Sequence, residues 1–82
     1  MKEILVTIYV LSLQEEFDIF IPIKFNVNEA IDLIQDSIVN LSNGNYQKVE
    51  NPLLYEESGK VINGNNAVKY SGLKNGCTVL LK

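Results

Sequence analysis

The side chains able to perform chemistry are few, and their spacing does not assemble a catalytic site. The chain of 82 residues contains no histidine and a single cysteine, Cys77, which begins an apolar run. Without histidine there is no common general base, no Ser-His or Cys-His pair and no imidazole ligand for a metal. We therefore interpret Cys77 as a small, partly buried apolar side chain and not as a nucleophile.

Eight of the ten acidic residues form three short clusters that do not match an ion-binding pattern. They are Glu15-Glu16-Asp18, Glu29-Asp32-Asp36 and Glu56-Glu57. None has the alternating oxygen-ligand spacing of a calcium loop, and the glycines stand singly in turns and not in a phosphate-binding run. The sequence therefore predicts no enzyme activity, no cofactor, and no catalytic or metal-ligating residue.

The overall charge excludes one large class of partner. The chain has ten acidic and seven basic residues, a net charge of −3, and all of its basic residues are lysines. Nucleic-acid binders usually present a basic face rich in arginine, so we expect no nucleic-acid binding. No apolar stretch approaches the roughly 20 residues that span a bilayer, and one cysteine fits a reducing compartment. We expect a cytoplasmic protein that does not insert into a membrane.

Two strands are predicted at the start of the chain. Residues 3–11 and 17–24 alternate between two faces and are rich in β-branched and aromatic side chains, which is typical of strands. A short polar turn joins them, so we expect an antiparallel hairpin. Pro22 cannot donate a hydrogen bond to a neighbouring strand, which predicts that the second strand lies at the edge of the sheet.

A single helix is predicted after the hairpin. The apolar residues from Val27 to Leu41 recur at intervals of three and four, which places them on one side of a helix. Asn26 followed by Glu29 is the pattern of a capping box at the first turn. The sequence SNGN at 42–45 provides a glycine where the helix should end.

Three short apolar segments complete the predicted sheet. Residues 52–55, 61–62 and 77–81 are separated by glycine-containing turns, and a short helical turn is expected within 67–76. The order β-β-α-β-β-β indicates an α+β fold, a single domain over residues 1–82 with one helix packed across one face of the sheet. The predicted core consists of Ile4, Val6, Ile8, Val10, Phe17, Ile19, Ile21, Ile23, Val27, Ile31, Ile34, Ile38, Leu41, Leu53, Tyr55, Val68, Leu73, Val79 and Leu81.

The order of elements and the end of the chain resemble a known family. The stretch VKYSGLKNG at 68–76, followed by CTVLL, resembles the segment before the last strand of ubiquitin-like domains. It is most similar to the small bacterial YukD/EsaB-type proteins, which are associated with type VII secretion. The resemblance implies a ubiquitin-like β-grasp fold, with a mixed sheet of four to five strands. It also implies a cytoplasmic accessory component of a bacterial type VII secretion system.

The last residues bear on the chemistry for which ubiquitin-like proteins are known. Modifiers and sulfur carriers of this fold act through a C-terminal diglycine, whereas no glycine follows Gly76 in this sequence. We therefore expect a protein that is neither conjugated nor a sulfur carrier. A carrier or modifier remains the alternative if a diglycine becomes exposed by processing, and a homodimer formed through the sheet is a third possibility.

A binding surface is predicted on the face of the sheet that the helix does not cover. The first and last strands are neighbours in the ubiquitin fold, and their outward positions carry apolar side chains where a solvated face should be polar. Such a patch usually marks an interface, so we expect a protein partner to bind there. By position, Leu54 and Leu80 match the apolar recognition patch of ubiquitin. The predicted protein-binding residues are Leu5, Tyr9, Phe20, Leu54 and Leu80.

Overall fold

A computed structural model of the chain describes residues 2–82 and shows one α-helix and four strands over that range. The predicted hairpin, helix, third strand and last strand are all present. A short 3₁₀ turn precedes the last strand, within the segment where a helical turn was expected. In chain order the elements are β1 (Glu3–Val10), β2 (Glu15–Pro22), α1 (Val27–Leu41), β3 (Leu54–Glu56), the 3₁₀ turn (Val68–Tyr70) and β4 (Thr78–Leu81).

The four strands form one mixed sheet in the order β2-β1-β4-β3. β1 and β2 are the antiparallel hairpin, β1 pairs in parallel with β4, and β4 pairs in antiparallel with β3. The prediction that the second strand lies at the edge is confirmed, and Pro22 is its last residue. The predicted α+β arrangement of one helix with a mixed sheet is also confirmed.

The predicted strand at residues 61–62 is reduced to a single bridge. The chain reverses after β3 through a turn in which the Glu56 amide donates to the Lys60 carbonyl. Val61 then forms one isolated bridge with Tyr55, and the Ile62 amide donates to Leu54. Because β3 has only three residues before the turn, the returning segment is too short to form a fifth strand.

Local interactions define both ends of α1. The Glu29 amide donates to Asn26 Oδ1 at 2.8 Å and the Asn26 amide donates to Glu29 Oε1 at 3.0 Å, so the predicted capping box is confirmed. At the other end the Gly44 amide donates to the Val39 carbonyl. Gly44 has a φ of +81°, a left-handed conformation that favours glycine and ends the helix.

One layer of buried apolar side chains fills the space between α1 and the sheet. Most of the predicted core is confirmed, and Ala30, Tyr46 and Ile62 are buried in addition. The predicted core residues that are not buried lie mostly near the ends of elements. There the helix and the sheet no longer cover a side chain completely. Outside β3 and the residue before it, those that are only half-buried or exposed are Ile4, Phe17, Ile23 and Leu41.

The prediction for β3 is wrong by one residue. Leu54 was placed on the outer face, with Leu53 and Tyr55 in the core, whereas Leu54 is fully buried and Leu53 is 42% exposed. In an antiparallel pair, residues directly opposite each other share a face. Leu54 lies opposite the buried Leu81, and Tyr55 lies opposite Leu80 on the outer face.

Replacing Leu54 with alanine is expected to lower the free energy of unfolding by about 2–5 kcal/mol, because a fully buried leucine leaves a cavity. The matched change Leu53→Ala should cost no more than about 0.5 kcal/mol, as for other surface substitutions. Urea denaturation followed by far-UV circular dichroism measures both values. Equal losses for the two variants would contradict the placement of β3.

Candidate protein-binding surface

The face of the sheet turned away from α1 is called the open face here. Alternate strand residues lie on it, while the intervening residues, such as Val6, Ile8 and Ile21, are fully buried against the helix. Four of the five predicted binding residues are on this face, and the fifth, Leu54, is not. The strand residues of the open face are Glu3, Leu5, Thr7 and Tyr9 of β1, Glu16, Asp18 and Phe20 of β2, Tyr55 of β3, and Thr78 and Leu80 of β4.

The strand register arranges the apolar side chains of the open face in two rows. Tyr9 lies beside Leu80, and Leu80 lies beside Tyr55, so one row crosses three strands. Leu5 and Phe20 lie opposite each other and form the second row. Directly paired side chains on one face of a sheet are in contact distance. Tyr55 therefore occupies the position beside Leu80 on the open face for which Leu54 was predicted.

A polar row separates the two apolar rows. Thr7 pairs with Asp18 on one side and with Thr78 on the other. The Thr7 hydroxyl donates to Asp18 Oδ1 at 2.7 Å. This hydrogen bond orients the Asp18 carboxylate between the two apolar rows. A ligand that contacts both rows would therefore lie close to its negative charge.

The exposure of Leu5 depends on the turn before β4. The Gly76 amide donates to the Leu5 carbonyl, and Asn75 Oδ1 accepts from the Leu5 amide at 2.8 Å. Gly76 has a φ of +85°, a left-handed conformation that favours glycine. This conformation lets the chain turn into β4. On one side of Leu5 its neighbour is Phe20 of β2. On the other side its neighbour is Gly76, which has no side chain to cover it.

The loop after the helix does not cover the open face, because it is attached to the opposite side of the sheet. Tyr46 is buried with the core residues, and its hydroxyl donates to Gln35 Oε1 at 2.7 Å. The Val49 amide donates to the same oxygen at 3.0 Å. One buried glutamine on α1 therefore fixes the loop on the helix side.

The segment before β4 is also attached to the helix. The amides of Val27 and Asn28 in the first turn of α1 donate to the carbonyls of Asn66 and Gly64. A side chain at Gly64 would overlap the amide group of the exposed Asn28 side chain, which would have to move aside. With both long connections packed against α1, Leu5, Tyr9, Tyr55 and Leu80 stay partly exposed, and Phe20 is 60% exposed.

Most of the charges on the open face are negative. Glu3, Glu16 and Asp18 occupy outward positions on β1 and β2. Lys82 brings a positive charge to the same face, with its Nζ 5.3 Å from the centre of the Tyr55 ring. The arrangement is an apolar centre with a mainly acidic border.

In the part of the chain that the structure describes, the cysteine and the acidic side chains do not form a catalytic or metal-binding site. Cys77 is half-buried beside Glu56 and Glu57 at a surface pocket of about 210 Å³. Over residues 2–82, no group of three or more cysteine, aspartate or glutamate side chains is placed to hold a metal ion. Within the same range, α1 is too short and too polar to cross a membrane.

Solved structures of other proteins share this fold. The ubiquitin-like domain of EccD5 from Mycobacterium xenopi matches with a TM-score of 0.81 at 11% identity, covering 100% of this chain and 94% of that one. The ubiquitin-like domain of EccD1, a type VII secretion system protein of Mycobacterium tuberculosis, matches at 0.71 and 15%, covering 99% and 98%. The same domain of Plasmodium falciparum Dsk2 matches at 0.71 and 21%, covering 98% and 96%.

These similarities show that the chain has a ubiquitin-like fold. The predicted β-grasp fold is confirmed, and the similar structures include ubiquitin-like domains of type VII secretion proteins. No family model and no curated protein matches the sequence. At these low identities the structural matches establish the fold alone.

Sequence reasoning missed two residues that matter for the surface. Tyr55 was assigned to the core. The apolar residues around it are consecutive, so the sequence does not indicate which of them face the core and which face outward. Gln35 was not noticed, because a glutamine within a helix is usually solvated. Its importance follows from burial beside Tyr46 and Val49, which are far from it in sequence.

The loop attachment predicts a specific dependence of stability on pH. Burial raises the pKa of the Tyr46 phenol, although the charge of Lys48 opposes the shift. The stabilisation by the neutral phenol is fully present below about pH 10, the ordinary tyrosine pKa, and is lost as the pH rises through the higher pKa of the folded state. The free energy of unfolding should therefore fall more steeply above about pH 10 in the unmodified chain than in Tyr46→Phe.

Urea denaturation at several pH values from neutral to strongly alkaline tests this difference. The exposed Tyr70 provides the control, since Tyr70→Phe should keep the steep alkaline decline. Parallel curves for the unmodified chain and Tyr46→Phe would show that Tyr46 does not carry the effect.

Proposed function

We propose that this chain is a single, non-catalytic ubiquitin-like domain that binds another protein through its open face. The observation that carries the proposal is the row of Tyr9, Leu80 and Tyr55, which lies on the side of the sheet opposite α1. Apolar side chains gathered on a sheet face without a covering layer are typical of an interaction surface. The absence of histidine from the sequence supports a binding role over catalysis.

The chemistry of the open face specifies the kind of partner. An apolar group of the partner would lie on the row of Tyr9, Leu80 and Tyr55. Basic side chains around it would pair with Glu16 and Asp18 at the border of that row. Tyrosine rings add a further preference for cations, as the position of Lys82 over Tyr55 illustrates. The proposed partner is therefore a protein surface with an apolar centre and a basic border.

The biological setting that we propose is a bacterial type VII secretion system. Two similarities support it, namely the resemblance of residues 68–81 to YukD/EsaB-type proteins and the structural similarity to the EccD5 and EccD1 domains. In that setting the chain would act in the cytoplasm as an accessory component. It would bind a protein of the secretion machinery and would not be consumed in a conjugation reaction.

Photo-crosslinking in cells tests where the partner binds. A photoreactive amino acid in place of Tyr9 or Tyr55 is expected to capture the same protein, because the two side chains belong to one row. The same substitution at Asp32, which is exposed on α1, is the control and should not capture it. Equal capture from the helix position would place the interface elsewhere.

Binding of the purified partner provides the quantitative test. Leu80→Asp should weaken binding by roughly tenfold or more, because a buried charge would replace a central apolar contact. Leu41→Asp changes an exposed leucine on α1, outside the open face, and should leave the affinity unchanged. Thermal melts confirm that both variants are folded, and Tyr9→Ser replaces Leu80→Asp if that variant unfolds.

The alternatives give different results in the same samples. Mass spectrometry of the C-terminus that shows an adenylate, a thiocarboxylate or an isopeptide would establish a carrier or modifier. A molecular mass that doubles with concentration, and returns to the monomer value in Leu80→Asp, would identify the open face as a homodimer interface. Either result would replace the proposed function.

A further inference from the structure

The outer edge of β2 carries backbone groups that have no strand beside them. The amides of Leu5 and Thr7 in β1, and of Leu11 directly after it, bond towards β4 and the Asn75–Cys77 turn. The alternate residues of β1 therefore bond to β2, as the hydrogen bond from the Ile23 amide to Lys2 also shows. By the register of the hairpin, the opposite positions of β2 direct their amides and carbonyls outward. They are Glu16, Asp18 and Phe20, with the carbonyl of Pro22.

This edge has a defined length. The Pro22 carbonyl already accepts from the Phe25 amide, and Pro22 has no amide of its own, so the free groups end at Phe20. At the other end the chain turns through residues 11–14 into β1. The free edge, defined here as residues 16–20, therefore matches a short extended segment that adds one strand to the sheet.

A groove lies beside the free edge, between β2 and α1. Its volume is about 340 Å³, and Ile19, Phe20 and Leu41 supply its apolar walls. Phe20 is 60% and Leu41 is 56% exposed, although both are large apolar side chains. An added strand would turn alternate side chains into this groove and would cover Leu41.

The charges beside the free edge favour a basic occupant, because Glu15, Glu16 and Asp18 lie on β2 and Asp18 also lines the groove. β2 and α1 together carry six of the ten acidic residues and none of the seven lysines. Asp36 is paired with Lys48 at 2.6 Å, which leaves five acidic side chains on the two elements without a recorded ion pair in the described residues. A second copy of this chain is disfavoured, because pairing two β2 edges would bring Glu15, Glu16 and Asp18 together with their copies.

We propose that the free edge and its groove bind an extended segment of another protein in which apolar and basic residues alternate. Such a segment extends the sheet by hydrogen bonds to Glu16, Asp18 and Phe20. Its apolar side chains enter the groove beside Ile19 and Leu41, and its lysines or arginines meet the acidic side chains. This surface shares Glu16 and Asp18 with the border of the open face but does not include the row of Tyr9, Leu80 and Tyr55, so variants of that row distinguish it from the proposed function.

An eight-residue capped peptide of alternating lysine and valine is the probe for this site. Amide hydrogen exchange of the intact chain is measured by NMR with and without the peptide. The outward amides of Glu16, Asp18 and Phe20 are expected to exchange roughly tenfold more slowly in the complex, because each becomes hydrogen-bonded. The amides of Phe17 and Ile19 already bond to β1 and should be unchanged. The matched peptide of glutamate and valine should bind at least about tenfold more weakly.

Glu16→Pro removes one outward amide without touching the bonds between β1 and β2, and is expected to weaken peptide binding by roughly tenfold. Glu16→Ala removes the same charge but keeps the amide, and should retain most of the affinity. Leu80→Asp should bind the peptide normally, which separates this site from the open face. If Glu16→Pro unfolds, the exchange data on the unmodified chain decide.

Several results would overturn the proposal. They are unchanged binding by folded Glu16→Pro, equal binding of the two peptides, and no binding at millimolar peptide. Protection centred on Tyr9, Tyr55 and Leu80 would place the peptide on the open face instead. Protection of the free edge that grows with protein concentration in the absence of peptide would show that the edge pairs with its own copy.

Discussion

The parallel pairing of β1 with β4 determines the face on which each strand places its side chains. β1 lies between its hairpin partner and the last strand, so its alternation sets the phase of both. β4 in turn sets the phase of β3, which has too few residues to set its own. Tyr9, Leu80 and Tyr55 become neighbours through this chain of pairings. The candidate binding surface is thus a consequence of strand register.

The single helix has a second role besides covering the core. Its first turn donates to the carbonyls of Gly64 and Asn66, and Gln35 in its middle accepts from Tyr46 and Val49. These contacts attach both long connections to the helix side of the sheet. Among residues 2–82 neither connection packs over the other side, and its apolar rows stay partly exposed. Stability on one face and binding on the other arise from the same packing.

Local features of the sequence predicted much of the fold and part of the surface. The long alternating strands assigned Leu5, Tyr9 and Phe20 to the correct face, because eight residues of period two leave one consistent phase. The third strand failed because Leu53, Leu54 and Tyr55 are consecutive apolar residues and fit either phase. In a strand of three residues the neighbouring strand decides, and the pattern does not record that neighbour.

The sequence by itself determined the hairpin, the capped helix, the mainly acidic charge and the lack of histidine chemistry, because each depends on residues close together in the chain or on composition. Only the tertiary structure decided that Leu54 is buried, that Tyr55 joins Leu80 on the open face, and that Gln35 fixes the loop after the helix. These outcomes depend on contacts between residues distant in sequence. Their geometry exists only after the strands have paired and the core has closed.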